Sequence, residues 1–413
     1  MRAKSSRKNP AQLAVALYCH GLRLTQSCTT GEDARPLAQR RAGLGSGLEL
    51  VIPGDHKSIW VNVPIVEAFV QTSPYLLVKA GNNYAVVCAD GPSWPVTLPP
   101  TPDWYNRKTS SGKLMSRIGV LQGTYLGIYI GQRCAFWNMT PRQACQFCAT
   151  GINVGVHEES EKSVADVIET ALAAKRESGV TFVHLNSGYQ EGNDIVQLMP
   201  FVKALKTEVG TLVGLQFIPP QDPRDYAPLL KLDVDHFSIC YELHSPEAFA
   251  RYLPGKTAHI GQERFFRALE FLAQRLPRGS VSGEIIAGLE PIASTLAAIE
   301  YITDRGAFPT VCIFRPLQGS PLEQQPSPSE AEMTQVLCQV ASACRRKKIP
   351  VGLAPNLEVS LVMTPDDARF LLPRDFAWYA WHYRLAVLKA LARPYFALKS
   401  SRWFARCRQR LSR

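Results

Sequence analysis

The chain has 413 residues, 46% hydrophobic and 20% charged, so it can bury a large core and is no disordered chain, collagen-like fibre or disulfide-stapled mini-protein. Its net charge of +11 is concentrated: residues 374–413 hold ten Lys or Arg against one Asp, leaving only +2 for the preceding 373 residues. The basic character belongs to a tail and says little about what the rest of the chain binds.

Residues 1–47 begin basic (Arg2, Lys4, Arg7, Lys8) and read as a poorly ordered lead-in with one short helix. The apolar run 13–18 is bounded by Gln12, Cys19 and His20 and is too short for the core of a signal peptide. No stretch approaches the ~18 apolar residues of a membrane span, and the expected location is cytoplasmic. Residues 48–118 read as a small antiparallel β module and a linker. Runs rich in β-formers at 48–52, 58–63, 75–79 and 84–88 are separated by turn signals such as Pro53-Gly54-Asp55 and Gly81-Asn82-Asn83. A proline-rich stretch, 95–102, follows.

Residues 119–362 alternate strands and helices. Strands are expected at 125–130, 181–186, 212–218, 236–241, 281–287, 310–314 and 351–354, with amphipathic helical patterns between them. Several of these strands are continuous apolar runs, as in sheets buried on both faces. The class is α/β, a partial or full parallel β/α (TIM-like) barrel, whose chemistry is expected on the loops after the strands. Residues 363–413 form a basic aromatic helical tail. There Trp378, Trp381, Leu385, Leu388 and Ala392 recur at helical spacing, interleaved with Arg384, Lys389 and Arg393. Such a helix packs on the barrel with a solvated basic end, or meets a membrane surface or nucleic acid.

Most of the eleven cysteines are scattered, as buried apolar fillers are in a reducing compartment. Cys134, Cys145 and Cys148 instead fall together in the loop after the first barrel strand. Thiolates select zinc, copper(I) or iron–sulfur clusters. Zinc would need a fourth ligand, for which His157 is the nearest candidate, and a thioredoxin-like redox pair needs another fold context. Three cysteines also suit a four-iron cluster with one iron left open.

This loop resembles the signature of the radical S-adenosylmethionine (SAM) enzymes, Cys-x3-Cys-x-aromatic-Cys. Cys145-Gln146-Phe147-Cys148 keeps its second half, while ten residues separate Cys134 from Cys145. Later loops are similar to the SAM-binding elements of that family, in its biotin-synthase-like branch. Ser187-Gly188-Tyr189 resembles the Gly-rich segment that receives the methionine amino group. Glu242 resembles the acidic position on the ribose, and Arg251, with Pro254-Gly255-Lys256 beyond it, the basic residue on the methionine carboxylate. The segment 283–290, with Gly288, is similar to the adenine wall, and 314–322, with Arg315, to a proline-rich post-strand loop.

The resemblance implies a [4Fe-4S] cluster on Cys134, Cys145 and Cys148, S-adenosyl-L-methionine as cofactor, and an electron donor such as flavodoxin or ferredoxin. Reductive cleavage of SAM would give a 5′-deoxyadenosyl radical that abstracts hydrogen from a small organic substrate. Tyr189, Gln190, Gln216, Arg315 and Asn356 are the expected substrate contacts. Two other readings stay open: radical SAM modification of RNA or protein, and a zinc-stabilised barrel that binds a partner.

Overall fold

The computed structural model describes residues 8–29, 47–89, 91–190, 192 and 194–401. It opens with helix α1 (Pro10–His20) and strand β1 (Arg23–Leu24). The antiparallel ribbon β2 (Leu48–Ile52) and β3 (Ile59–Val63) follows, then strands β4 (Tyr75–Ala80), β5 (Asn83–Cys88) and β6 (Ser93–Val96). β1, β4, β5 and β6 make a four-stranded sheet in that order. β1 and β6 were not foreseen, because β1 has two residues and β6 contains Pro95.

α1 is no loose lead-in. Asn9 and Gln12 form a capping box, Pro10 sits in the first turn, and Leu13 through Cys19 are all buried. Apolar residues on every face are the mark of a helix surrounded by protein. The rest of 1–47, namely 1–7 and 30–46, lies outside the described residues.

The centre is a seven-stranded curled sheet: β7 (Val120–Gln122), β8 (Tyr125–Tyr129), β9 (Phe182–Asn186), β10 (Leu212–Gln216), β11 (His236–Glu242), β12 (Val281–Ala287) and β13 (Phe308–Ile313). β8 to β13 run parallel in sequence order, and β7 is antiparallel to β8 at the edge. Helices pack outside: α2 (Val164–Ser178), α3 (Asp194–Ala204), α4 (Pro246–Tyr252), α5 (Pro254–His259), α6 (Gln262–Ala273), α7 (Ile292–Asp304) and α8 (Glu330–Arg346). α1 contacts α8 and β3. Cores of β8 and β10 are buried on both faces, which is why they read as unbroken apolar runs. The arrangement is a partial β/α barrel.

A seventh parallel strand at 351–354 does not form. Pro350 and Pro355 flank it without N–H donors, and Gly352 and Asn356 have positive φ, 64° and 55°. The β2–β3 ribbon instead bridges the gap between β7 and β13. Glu49 Oε1 accepts from the Gly123 N–H (3.1 Å) at one edge, and the Arg315 guanidinium donates to the Asn62 carbonyl (2.8 Å) at the other. Ser360 ties the two together, its hydroxyl on Glu49 and its carbonyl taking the Asn62 N–H (2.7 Å). Gly123 has φ 80°, and a Cβ there would stand 2.2 Å from the Glu358 carbonyl oxygen.

Helix α9 (Phe376–Lys399) crosses the amino-terminal end of the barrel. Trp378, Trp381 and Leu385 are its buried side chains, and Lys399 pairs with Asp235 (2.7 Å) and Asp233 (3.2 Å) beside the start of β11. Nearby, the mostly covered Lys57 meets Asp367 (2.7 Å), Glu358 (2.9 Å) and Asp366 (3.2 Å). Burial would raise the Asp366 pKa, but Lys57, Arg369 and Lys389 overcome it and hold that carboxyl below its ordinary range. A depressed carboxylate stabilises the fold above its unfolded pKa of ~4 and loses that contribution as pH falls through the folded value. Lys57→Met leaves these acids without their shared cation. It should cost ~3 kcal/mol or more in urea denaturation at neutral pH, with a smaller deficit near pH 4. An unchanged midpoint at both pH values would refute the role given to Lys57.

Candidate active site at the carboxyl ends of the strands

Cys134 begins the loop after β8, where the Ile130 N–H donates to the Asn186 carbonyl (2.7 Å) and the Ala135 N–H to that of Tyr189 (2.8 Å). The loops after β8 and β9 are thereby joined. Gly188 packs directly on Cys134: a Cβ there would lie 2.6 Å from the Cys134 Cβ and 2.8 Å from the Tyr129 oxygen. The Gly188 N–H donates to Tyr129 Oη (3.0 Å), which donates on to the Gln132 carbonyl (3.1 Å).

The ten residues between Cys134 and Cys145 fold inward. Phe136 is buried and its ring stacks on Tyr189 at 4.4 Å and 12°. Trp137 covers Gly151, whose Cβ would clash with the indole at 2.0 Å. The Gln146 N–H donates to the Tyr252 carbonyl (3.0 Å) and the Gly255 N–H to that of Gln143 (3.0 Å), sewing the loop to α4 and α5. A longer first gap is thus absorbed by packing.

All three thiols line one cavity of about 1100 Å³ that runs down the barrel. Burial pushes the Cys134 thiol up to about 11, while the N–H groups of Phe136 and Tyr189 pull the other way. Burial also raises Cys145 and Cys148, opposed by Lys256 at Cys145 and by Thr150 at Cys148. The Thr150 N–H donates to Cys148 Sγ (3.4 Å). N–H donors and a nearby cation favour the thiolate form that a metal requires.

Beside Cys145 the cavity holds a largely buried ion pair. Lys256 Nζ donates to both oxygens of Glu242 (2.6 Å each) and to the Cys240 carbonyl (2.8 Å). Glu242 has φ 61° at a register shift between Cys240 and Glu242, a bulge that re-aims the carboxylate. Burial lowers the Lys256 pKa, but Glu242, Cys145 and Cys240 outweigh it and hold the ammonium above its ordinary range. Deeper in, the Cys240 thiol donates to Glu284 (2.7 Å). Asn186 Oδ1 and Ser187 Oγ are buried at the cavity wall without a hydrogen-bond partner. Orphaned buried polar atoms cost ~1–3 kcal/mol each unless something fills them.

No protein-family model matches the chain. Bacteriochlorophyllide c C-7(1)-hydroxylase of Chlorobaculum limnaeum is 22% identical over 251 residues, 55% of this chain, which spans 61% of that relative's length. HydG, a maturase of the [FeFe]-hydrogenase, matches with TM-score 0.43 and 14% identity over 52% of this chain and 49% of its own. A radical SAM methyltransferase from Sphaerobacter thermophilus matches with TM-score 0.40 and 14% identity over 67% and 76%.

Not every residue expected from the radical SAM resemblance reaches the cavity. Cys134, Cys145, Cys148, Ser187, Gly188, Glu242, Tyr189 and Gln216 line it. Arg251 does not: it is exposed, its guanidinium over the Tyr252 ring at 5.1 Å. Lys256, five residues further on in the next helix, is the cation at the cavity, and the signal for it was the Pro254-Gly255-Lys256 run beside Arg251. Gly288 is exposed with φ 101° and faces Pro328, which a Cβ would approach to 2.3 Å. Arg315 is held by Asn62. Gln190 donates to the Gln132 carbonyl (3.0 Å), and Asn356 lines the cavity only at its opposite, amino-terminal end, its carbonyl accepting from Thr124 (2.6 Å). Glu191 and residues 402–413 lie outside the described residues.

Gly188→Ala should leave the chain folded but lower its bound iron after reconstitution by half or more, because the new methyl displaces Cys134 or Tyr129. Unchanged iron and sulfide content would show that this close approach positions nothing.

Proposed function

We propose that the chain is a radical SAM enzyme acting on a small organic substrate. The observation that carries the reading is the presence, within one cavity, of three sulfur donors and a largely buried Glu242–Lys256 couple. Cys134, Cys145 and Cys148 would hold a [4Fe-4S] cluster, three thiolates for four irons. Three thiolates from one loop would leave one iron of such a cluster open, whereas a structural zinc takes four protein ligands.

The chemistry such a cluster supplies is one-electron reduction of the SAM sulfonium, giving methionine and a 5′-deoxyadenosyl radical that takes hydrogen from the substrate. The protein's part is placement. Lys256 would meet the methionine carboxylate, Glu242 the ribose hydroxyls, and the Gly188 segment the amino group. The unpartnered Asn186 and Ser187 oxygens are free to accept from the ligand. A cavity of about 1100 Å³ exceeds the common ligand-site range of ~300–1,000 Å³, so cofactor and substrate fit together. A flavodoxin or ferredoxin would deliver the electron.

The test is anaerobic reconstitution followed by iron, sulfide and zinc assay, then reduction with dithionite in the presence of SAM. Four irons and four sulfides per chain, with 5′-deoxyadenosine formed, support the reading. One zinc without sulfide, and intact SAM, would overturn it.

A further inference from the structure

α9 carries two apolar faces, and only one is used. The face with Trp378, Trp381 and Leu385 is buried against the barrel. On the opposite side Phe376 (89% exposed), Tyr379 (41%), Tyr383 (65%), Val387 (58%), Leu391 (70%) and Leu398 (47%) face away from it. At 100° per residue these positions fall on one arc, and at 1.5 Å per residue they run for about 33 Å. Ala380, Ala390 and Ala397 fill the spaces between them, all exposed. Six large apolar side chains in one continuous stripe exceed the scatter normal on a soluble surface.

Charge selects the occupant. No Asp or Glu occurs from Phe376 to Lys399, and Arg384 and Arg393 are the charged residues exposed beside the stripe. The sequence continues with Arg402, Arg406, Arg408, Arg410 and Arg413. A second copy of the chain would set Arg384 and Arg393 against their counterparts, with Asp375 at the N-cap the one carboxylate the helix offers. A nucleic-acid backbone would meet the arginines but leave the aliphatic centre without a partner. An anionic bilayer surface satisfies both, with acyl chains for Val387 and Leu391, the headgroup zone for the tyrosines and lipid phosphates for the arginines. No helix among the described residues is long and apolar enough to cross a membrane, so the contact would be peripheral.

We propose that the outward face of α9 is a docking surface for anionic lipid bilayers. α9 lies at the amino-terminal end of the barrel, so docking leaves the cysteine-lined mouth at the other end open. This goes beyond the proposed chemistry and does not depend on it.

The experiment is flotation of the purified full chain with vesicles of phosphatidylcholine alone or with 30% phosphatidylglycerol, at 50 and 500 mM NaCl. The wild type should float with anionic vesicles at low salt, less at high salt, and little with phosphatidylcholine. Tyr383→Ser/Leu391→Ser, which touches no buried residue, should keep its melting temperature and lose binding about tenfold or more. Three outcomes would overturn the proposal: no flotation of wild type at either salt, equal flotation of the double variant, or a sedimenting wild-type dimer that the double variant abolishes. Retention of RNA without vesicle binding would overturn it too.

Discussion

Cys145→Ala should leave the chain with iron and sulfide at background after reconstitution and form no 5′-deoxyadenosine from SAM and dithionite. The thiol is half-buried at the cavity wall, beside Lys256, with Cys134 and Cys148 the other sulfurs there. On the proposed ligation, removing one of three thiolates would leave two of four irons without a protein ligand. Folding should survive, because a methyl in place of a thiol is a small loss of volume and Phe136, Tyr189 and the α4–α5 contacts hold the loop. A circular-dichroism spectrum and unfolding midpoint close to wild type are therefore part of the expected result. Cys312→Ala is the control: that half-buried thiol also lines the cavity, but it belongs to β13, beside Glu284, and meets the cysteine loop at the Phe147 ring. It should keep its iron. Equal iron in wild type and Cys145→Ala would remove the cysteine loop from the chemistry altogether.

What the sequence discloses follows from how local each determinant is. Strands β8 to β13 were legible because a doubly buried strand is an apolar run whatever surrounds it. The seventh strand was misread for the same reason: 351–354 is apolar, yet its fate rests on flanking prolines and on the β2–β3 ribbon, which already bridges that gap. The burial of α1 depends on α8, some 320 residues away, and its own composition says only that it is helical and apolar. At the site, the cysteines were legible because thiols cluster visibly within one loop. Arg251 and Lys256 were harder to rank. Both are cations five residues apart after the same strand, and what distinguishes them is the bulge at Glu242, which turns the carboxylate toward one of them. Bulges carry no reliable sequence mark. In α9 the tryptophan stripe drew the eye because tryptophan is rare, while the opposite stripe, of tyrosine and aliphatic residues, is visible only once the packed face is known.

Lys256→Met should be the most informative single change at the cavity, because it separates folding from binding. The substitution strands Glu242, a carboxylate whose pKa burial already raises and which Lys256 draws back down. Breaking one member of a buried pair typically costs ~3–5 kcal/mol. With its partner gone, the Glu242 pKa should rise further. A raised carboxylate binds its proton more tightly folded than unfolded, so its contribution is present below the unfolded value of ~4.3 and is lost as pH rises through the folded one. The variant should therefore be closest to wild type near pH 4 and weakest at neutral pH and above. Adding Glu242→Gln removes the stranded charge, and the double variant should recover more than half of the lost stability at pH 7. Binding should behave differently. If Lys256 is the cation that meets the methionine carboxylate, both variants should bind SAM ~30-fold or more weakly by calorimetry, and the restored stability should not help. Arg251→Met, at an exposed helix surface, should change neither quantity by more than about 0.5 kcal/mol. Wild-type SAM affinity in Lys256→Met, with a large loss in Arg251→Met, would return the carboxylate to Arg251 and require the loop after β11 to rearrange when SAM binds.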